Sequence, residues 1–216
     1  MKTVEQVFAR NKIVPVVVIN DISDALRLAN ALLEVGINNM EITLRTANAL
    51  EIIALIAKQV PQMIVGAGTI LTPGDFLNAC NAGAKYVISP GVTSELFTAA
   101  RTRTQDVRFI PGVCTPSHAM EAAAHGFNYV KFFPAEAYNG YQVIKALAAP
   151  FPHVKFCPTG GVTIENMAKY LELANVFAVG MSSIVAAELI AAHDFTEISR
   201  RCQEAMQIAN LACGIK

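Results

Sequence analysis

The chain has 216 residues, 53% of them hydrophobic, which is enough to bury a substantial core. Its 17 basic and 17 acidic residues give a formal net charge of zero, so nucleic acid and anionic membranes are disfavoured as partners and a small-molecule substrate is favoured. The amino-terminal segment is charged and no apolar run is long enough to span a bilayer, so we expect a cytoplasmic location.

Eight apolar runs alternate with helical patterns along the chain. The runs are nearly continuous in apolar character, which is typical of parallel strands covered on both faces. The predicted strands occupy residues 13–19, 40–44, 63–68, 86–91, 108–112, 129–133, 155–161 and 176–180.

Between the runs, apolar residues recur at intervals of three and four and a glycine ends the pattern. This predicts helices at residues 21–36, 73–83 and 116–126, the last two with proline near the start. An amphipathic pattern at residues 3–10 predicts an extra amino-terminal helix that closes the bottom of the fold. No linker, low-complexity tract or charge block divides the chain, so residues 1–216 are predicted to form a single domain.

Eight strand–helix units in one α/β chain predict a (β/α)8 barrel of the TIM type. A doubly wound open sheet is the alternative, but no GxGxxG follows the first strand.

In a barrel the active site lies at the carboxyl ends of the strands. The candidate residues at those ends are Glu41, Thr43, Arg45, Thr69, Ser89, Pro90, Lys131, Thr159, Gly160, Gly161, Gly180, Ser182 and Ser183.

Lys131 interrupts the apolar run YVKFF. Burial among Val130, Phe132 and Phe133 disfavours a charged ammonium. A neutral amine can attack a carbonyl group and form a Schiff base. The alternative is a lysine that reaches water at the strand end or pairs with a carboxylate.

Glu41 lies in the run MEITL and is equally hard to explain as a core residue. Facing an interior amine, it could act as a general base. A buried salt bridge with Lys131 or Arg45 is the alternative. Arg45 has a planar guanidinium suited to a substrate carboxylate, although an exposed loop arginine is the simpler interpretation of that residue alone.

Two glycine-containing turns, PTGGVT and AVGMSS, follow the seventh and eighth predicted strands. Bare backbone N–H groups can approach an anion, and barrels often place a phosphate site at these two positions. The sequence therefore predicts an anion site formed by these two turns.

Five cysteines, an odd number, show no CxxC spacing and no nearby histidine cluster: Cys80, Cys114, Cys157, Cys202 and Cys213. We expect reduced, mostly buried thiols and no metal site. His118, His125, His153 and His193 are scattered and are predicted to have surface or core roles.

The segments EITLRT, GAGT, SPG, KFFPAE and FCPTGG, in this order and spacing, resemble the KDPG/KHG aldolase family. These are class I (Schiff-base) lyases of 2-dehydro-3-deoxy-6-phosphogluconate (KDPG) and 4-hydroxy-2-oxoglutarate (KHG). The resemblance covers almost the whole chain. It implies an aldolase of the Entner–Doudoroff pathway that is a homotrimer and needs no cofactor.

The resemblance also implies roles for residues that match the family motifs. Lys131 matches the Schiff-base lysine and Glu41 the general acid/base. The matching substrate-binding positions are Arg45 and Thr69 for the pyruvate carboxylate, Pro90 and Phe133 lining the site, Thr159 near the substrate hydroxyls, and Gly160, Gly161, Gly180 and Ser182 for the phosphate. Thr159 favours the gluconate-derived substrate over its galactonate isomer.

The chain departs from the family pattern at the last loop, where family members commonly read GGSW and this sequence reads GMSS. If the second position needs a positive φ, Met181 there would be strained or would move the loop. Ser183 replaces the tryptophan.

Several other functions remain open from the sequence. The preferred substrate could be KHG or the galactonate isomer. A sugar-phosphate isomerase or decarboxylase would use the same anion site without an imine, and a binding protein would use it without turnover.

Overall fold

The computed structural model describes residues 6, 8, 9, 11–102 and 107–214. Most of the helix expected at residues 3–10 lies outside this set. The described strands are Ile13–Val17 (β1), Asn39–Thr43 (β2), Ile64–Gly68 (β3), Tyr86–Ile88 (β4), Arg108–Ile110 (β5), Gly112–Val113 (β6), Tyr129–Phe132 (β7), Lys155–Pro158 (β8) and Val179–Met181 (β9).

Helices follow the strands in near-regular alternation. The α-helices are Ile22–Glu34 (α1), Ala49–Gln59 (α2), Pro73–Asn81 (α3), Ser94–Arg101 (α4), Pro116–Ala124 (α5), Gly140–Leu147 (α6), Met167–Leu171 (α7), Ala187–Ala191 (α8) and Phe195–Cys213 (α9), with 3-10 turns at Glu136–Tyr138 and Ser183–Val185. Seven of the eight predicted strands and the three predicted helices are confirmed within a few residues.

Helix ends are fixed by local side-chain chemistry. Thr72 and Asp75 form a reciprocal capping box at the start of α3, with Pro73 at the first helical position. Thr115 caps α5 in the same way as Thr93 caps α4, by accepting a backbone N–H three residues later. The capping residues thus set where these three helices begin.

The strands pair in parallel in two groups. The larger sheet has the order β5-β4-β3-β2-β1-β9, and the smaller has the order β6-β7-β8. Among the described residues, all neighbouring strands within these two groups pair in parallel. The last strand therefore lies beside the first, as a curled parallel sheet requires, and the predicted α/β class is confirmed.

One predicted strand, residues 108–112, is broken into β5 and β6 at Pro111. Proline has no N–H to donate to a ladder, although its carbonyl still accepts the N–H of Lys131 at 2.9 Å. The break separates the two groups of strands at a single residue.

Apolar residues fill both faces of the sheet. The larger cluster lies between strands and helices, and a smaller one lies inside the curl and includes Phe8, Tyr86, Ile110 and Phe177. Phe8 packs edge-on against Tyr86 with ring centroids 5.2 Å apart. Among the described residues, no helix combines the length and apolar character needed to cross a membrane.

Candidate active site

Lys131 and Glu41 meet inside the curled sheet. They lie on β7 and β2, which belong to different groups of strands, yet Lys131 Nζ is 3.5 Å from Glu41 Oε1. The two residues are only 4% and 1% exposed. The structure therefore contains the ion pair that the sequence left as one of two alternatives, and it places a carboxylate within proton-transfer reach of the buried amine.

Two glycines on β3 make room for the neighbouring side chains. A Cβ at Gly68 would lie 1.9 Å from Glu41 Oε1, and a Cβ at Gly66 would lie 2.2 Å from the ring of Tyr86. Any larger residue at Gly68 would displace the carboxylate. The GAGT motif thus shapes the space that Glu41 occupies.

Arg45 and Thr69 meet at the carboxyl edge of the same two strands. Arg45 is exposed, and its Nε donates to Thr69 Oγ1 at 3.1 Å. Thr69 has a φ of +60°, in the left-handed region that non-glycine residues rarely adopt. The structure therefore brings this predicted pair together, with the side chain of Arg45 exposed at the edge.

The other predicted edge residues divide into lining and structural groups. The Phe133 ring centroid lies 5.2 Å from Lys131 Nζ, and half-buried Pro90 follows β4. Thr43 and Ser89 are buried and form hydrogen bonds with the backbone. Thr43 Oγ1 donates to the Val17 carbonyl, and Ser89 Oγ accepts from the Gly112 N–H. The Thr43 hydroxyl thus joins β2 to β1, and the Ser89 hydroxyl joins the end of β4 to β6.

The loop after β8 has the geometry expected of a glycine turn. Gly160 and Gly161 have φ values of +95° and +79°, which other residues rarely adopt. Thr159 is buried, and its hydroxyl donates to the Cys157 carbonyl at 3.3 Å. A Cβ at Gly180 would lie 2.3 Å from that hydroxyl, so Gly180 allows the two loops to approach closely.

The possible strain at Met181 does not arise. Met181 is the last residue of β9, is fully buried, and is absent from the residues with positive φ. Ser182 is exposed directly after it. Ser183 begins the following 3-10 turn, and its carbonyl accepts from Arg201 Nη1 at 3.0 Å. The departure from the family pattern is thus accommodated by ordinary strand geometry.

Two further polar residues lie inside the curl near the ion pair. Burial raises the pKa of the Cys157 thiol to about 12, a rise that the nearby Lys131 charge partly offsets. Burial, together with the Glu41 charge, raises the pKa of Tyr86 well above its usual value. Neither residue stood out in the sequence because both lie within apolar strand patterns.

The cysteines and histidines form no metal centre among the described residues. All five cysteines are free thiols, but only Cys157 and Cys202 are buried, so the expectation that most would be buried is wrong. Cys114 Sγ lies 3.7 Å from His118 Nδ1, His125 stacks on Phe97, and His193 Nδ1 lies 2.8 Å from Asp24.

The chain is thus an α/β protein built on a curled parallel sheet whose interior holds a buried lysine–carboxylate pair. Residues 4–201 match the family model described as "Aldolase: KDPG and KHG aldolase". The chain belongs to the KDPG and KHG aldolase family.

Relatives and solved structures agree with this assignment. The KHG/KDPG aldolase of Escherichia coli K12 is 41% identical over 207 residues, covering 96% of each chain. A crystal structure of KDPG aldolase from Legionella pneumophila, with pyruvate captured at low pH as a covalent carbinolamine intermediate, is 42% identical with a TM-score of 0.91, covering 95% of this chain and 98% of that one. The KDPG aldolase of Zymomonas mobilis ZM4 with 3-phosphoglycerate is 39% identical with a TM-score of 0.86, covering 94% of both.

Proposed function

We propose that this chain is a class I aldolase that cleaves KDPG to pyruvate and glyceraldehyde 3-phosphate through a Schiff base on Lys131. The observation that carries the proposal is the buried Lys131–Glu41 pair, beside which Arg45 and Thr69 offer a carboxylate site. Family membership favours this reaction over the isomerase, decarboxylase and binding-protein alternatives.

The first step requires a neutral amine. Because both charges are buried, transfer of the ammonium proton from Lys131 to Glu41 replaces two poorly solvated ions by two neutral groups. The free Nζ lone pair then attacks the C2 ketone of the substrate to give a carbinolamine. Glu41 returns its proton to the departing hydroxyl, which leaves as water, so an iminium and an ionised Glu41 remain. Arg45 would hold the adjacent C1 carboxylate.

Cleavage uses the same two residues. Ionised Glu41, directly or through a water molecule, accepts the C4 hydroxyl proton while the C3–C4 electron pair moves into the iminium. Glyceraldehyde 3-phosphate leaves, and the enamine on Lys131 is protonated at C3. Hydrolysis of the resulting iminium then releases pyruvate and restores the amine. The iminium is the electron sink, so the scheme needs no metal or cofactor.

The phosphate of the substrate would bind at the loops containing Gly160, Gly161, Gly180 and Ser182. Positive φ at the first two exposes backbone N–H groups, and Gly180 lets the loops lie close together. Thr159 would lie between this region and the amine. The Zymomonas relative with bound 3-phosphoglycerate supports a phosphorylated ligand in this family.

A second substrate is favoured by the name of the E. coli relative, which includes KHG. Cleavage of KHG to pyruvate and glyoxylate uses the same imine and the same C3–C4 bond but no phosphate site. The ratio of the two activities therefore reports how much the phosphate loops contribute.

We also propose that the sheet closes into a (β/α)8 barrel within a single domain, and that the protein is a cytoplasmic homotrimer. Bridges from Thr159 to Gly180 and from Phe156 to Val176 connect β8 with β9, and Pro111 alone separates β5 from β6. These contacts support closure. The trimer rests on the family resemblance, and light scattering of the purified protein tests it.

The experiment that tests the function is borohydride trapping with pyruvate, followed by peptide mass spectrometry. We expect a reduced pyruvyl adduct on Lys131 and none in Lys131→Ala. Lys155→Arg is the matched control, since Lys155 also lies on a strand but donates to the Ala174 carbonyl, and it should trap pyruvate normally. The absence of an adduct in folded wild-type protein, or turnover of KDPG by Lys131→Ala, would refute the Schiff base.

A further inference from the structure

Tyr86 is placed next to the catalytic layer by strand register. Glu41 on β2 pairs with Gly66 on β3, and Gly66 pairs with Tyr86 on β4. Residues paired in a parallel sheet point to the same face, so Glu41 and Tyr86 face the interior on either side of a glycine. The nearest atoms to a Cβ at Gly66 would be Cε2, Cζ and Cδ2 of the Tyr86 ring. The ring therefore lies across β3, in the space that any other residue at Gly66 would fill.

Each of these side chains has an unsatisfied polar atom. Tyr86 Oη and Glu41 Oε1 are both buried and have no hydrogen-bond partner among the described residues. Glu41 Oε1 has the Lys131 ammonium 3.5 Å away, which is an ion-pair distance without hydrogen-bond geometry. A buried polar atom without a partner costs about 1–3 kcal/mol, so two such atoms in one interior need an explanation.

The charged and titratable groups around Glu41 leave few ways to satisfy these atoms. Lys131 faces it from β7, Cys157 from β8 and Tyr86 from β4, and Arg108 on β5 is in register with Tyr86. The described residues of β1, β3 and β9 contribute no titratable side chain. Tyr86 and Cys157 belong to the same buried cluster inside the curl.

We propose that one buried water molecule bridges Tyr86 Oη and Glu41 Oε1, which makes Tyr86 a positioning residue for Glu41. Buried waters typically make about three hydrogen bonds to otherwise unsatisfied polar groups, and this space offers a hydroxyl, a carboxylate oxygen and the Lys131 ammonium. Tyr86 donates to the water and the water donates to Glu41, so the bridge favours the ionised carboxylate and fixes its orientation.

The kinetic consequence rests on the proposed aldolase function. Removal of the Tyr86 hydroxyl would remove a hydrogen bond that favours the charged form of the proposed base. In Tyr86→Phe we expect the acidic limb of the pH–kcat profile to move to higher pH. Pyruvate trapping on Lys131 at alkaline pH should persist. A packing role alone would not move the pH profile.

The structural consequence is independent of turnover. A bridged hydroxyl contributes to stability, so Tyr86→Phe should lower Tm, whereas deletion of an unsatisfied hydroxyl leaves Tm unchanged or raises it. Tyr141→Phe is the matched control, since this half-buried ring lies on α6 against Tyr170 and outside the interior of the sheet. It should leave the pH profile unchanged.

A crystal structure at a resolution that orders water completes the test. The proposal expects a water within hydrogen-bonding distance of both Tyr86 Oη and Glu41 Oε1. It is overturned if that position is empty and Tyr86→Phe has an unchanged or higher Tm. If the protein fails to trap pyruvate, the aldolase function falls, while the water and the Tm difference still decide the bridge.

Discussion

Glu41 has a chemical task that its amide analogue cannot perform. Glutamine keeps the shape of the side chain and fits beside Gly68, but it neither accepts the ammonium proton of Lys131 nor the C4 hydroxyl proton of the substrate. Loss of a positioned general base typically lowers rates by about two to four orders of magnitude. We therefore expect Glu41→Gln to lower kcat for KDPG cleavage by that factor, measured by coupling pyruvate release to its reduction.

The control for this variant is Glu188→Gln, at an exposed carboxylate on α8, which should retain wild-type kcat. A Glu41→Gln rate within a factor of about three of wild type would assign Glu41 to structure alone. Reduced trapping of pyruvate near neutral pH is also expected, since the variant lacks the acceptor that frees the amine.

At the residue scale, the sequence predicts which residues carry chemistry better than it predicts what surrounds them. Lys131 and Glu41 are conspicuous because charged residues interrupt apolar strands. Tyr86 is not, because tyrosine is common in strands and its approach to Glu41 depends on the missing side chain of Gly66, which lies 20 positions earlier in the chain. That relation depends on register between strands, which single-sequence patterns do not define.

At the scale of single elements, helix starts contribute stability away from the site. The capping box of α3 satisfies backbone N–H groups with Thr72 Oγ1 and Asp75 Oδ2, at 3.1 Å and 3.0 Å. Loss of such a cap costs about 1 kcal/mol, which for a chain of this size shifts Tm by about 2–4 °C. We expect this loss in Thr72→Ala, measured by calorimetry.

Thr72→Ser keeps the hydroxyl and should retain most of the wild-type Tm. Both variants should keep normal kcat, because Thr72 serves as a helix cap and is not among the residues of the proposed site. If the alanine and serine variants have equal Tm values, the cap contributes nothing to stability.

Predicted and observed elements agree where one pattern dominates and differ where backbone chemistry intervenes. The helix ends were predictable because glycines at 36, 83 and 126 all adopt positive φ after their helices. The break between β5 and β6 was not predicted, although Pro111 was visible, because a proline at the end of an apolar run is also compatible with an intact strand. The short 3-10 turns after β7 and β9 have no sequence period of their own.

At the scale of the whole molecule, the free energy of unfolding should fall as the pH rises above 9. Burial raises the pKa of the Cys202 thiol from 9.0 to about 12, so above pH 9 the unfolded chain releases a proton that the folded chain retains. The unfolded state is then favoured by up to about 1.4 kcal/mol for each pH unit, until the folded thiol also ionises near pH 12. This contribution is fully present below pH 9 and is lost as pH rises.

Cys202→Ala should remove the part of the alkaline loss of stability that this thiol causes. We expect the difference in unfolding free energy between wild type and Cys202→Ala to shrink as pH rises from 8 to about 10.5, measured by urea titration under reducing conditions. Ile198→Val, at a buried residue without a titratable group on the same helix, is the control whose difference from wild type should stay constant. A constant difference for Cys202→Ala as well would contradict the argument.

The curl of the sheet brings Lys131 and Glu41 together, and it also links their evolutionary fates. Exchange of either one for an apolar residue leaves the other charge buried without a partner, at about 3–5 kcal/mol, a large part of the 5–15 kcal/mol that stabilises a typical protein. Exchange of both by well-packed apolar residues is often neutral or stabilising. In a descendant protein that no longer needs catalysis, each single exchange would therefore lower the stability of the fold, although the double exchange would not. The Lys131–Glu41 pair would therefore persist after selection for turnover had ended.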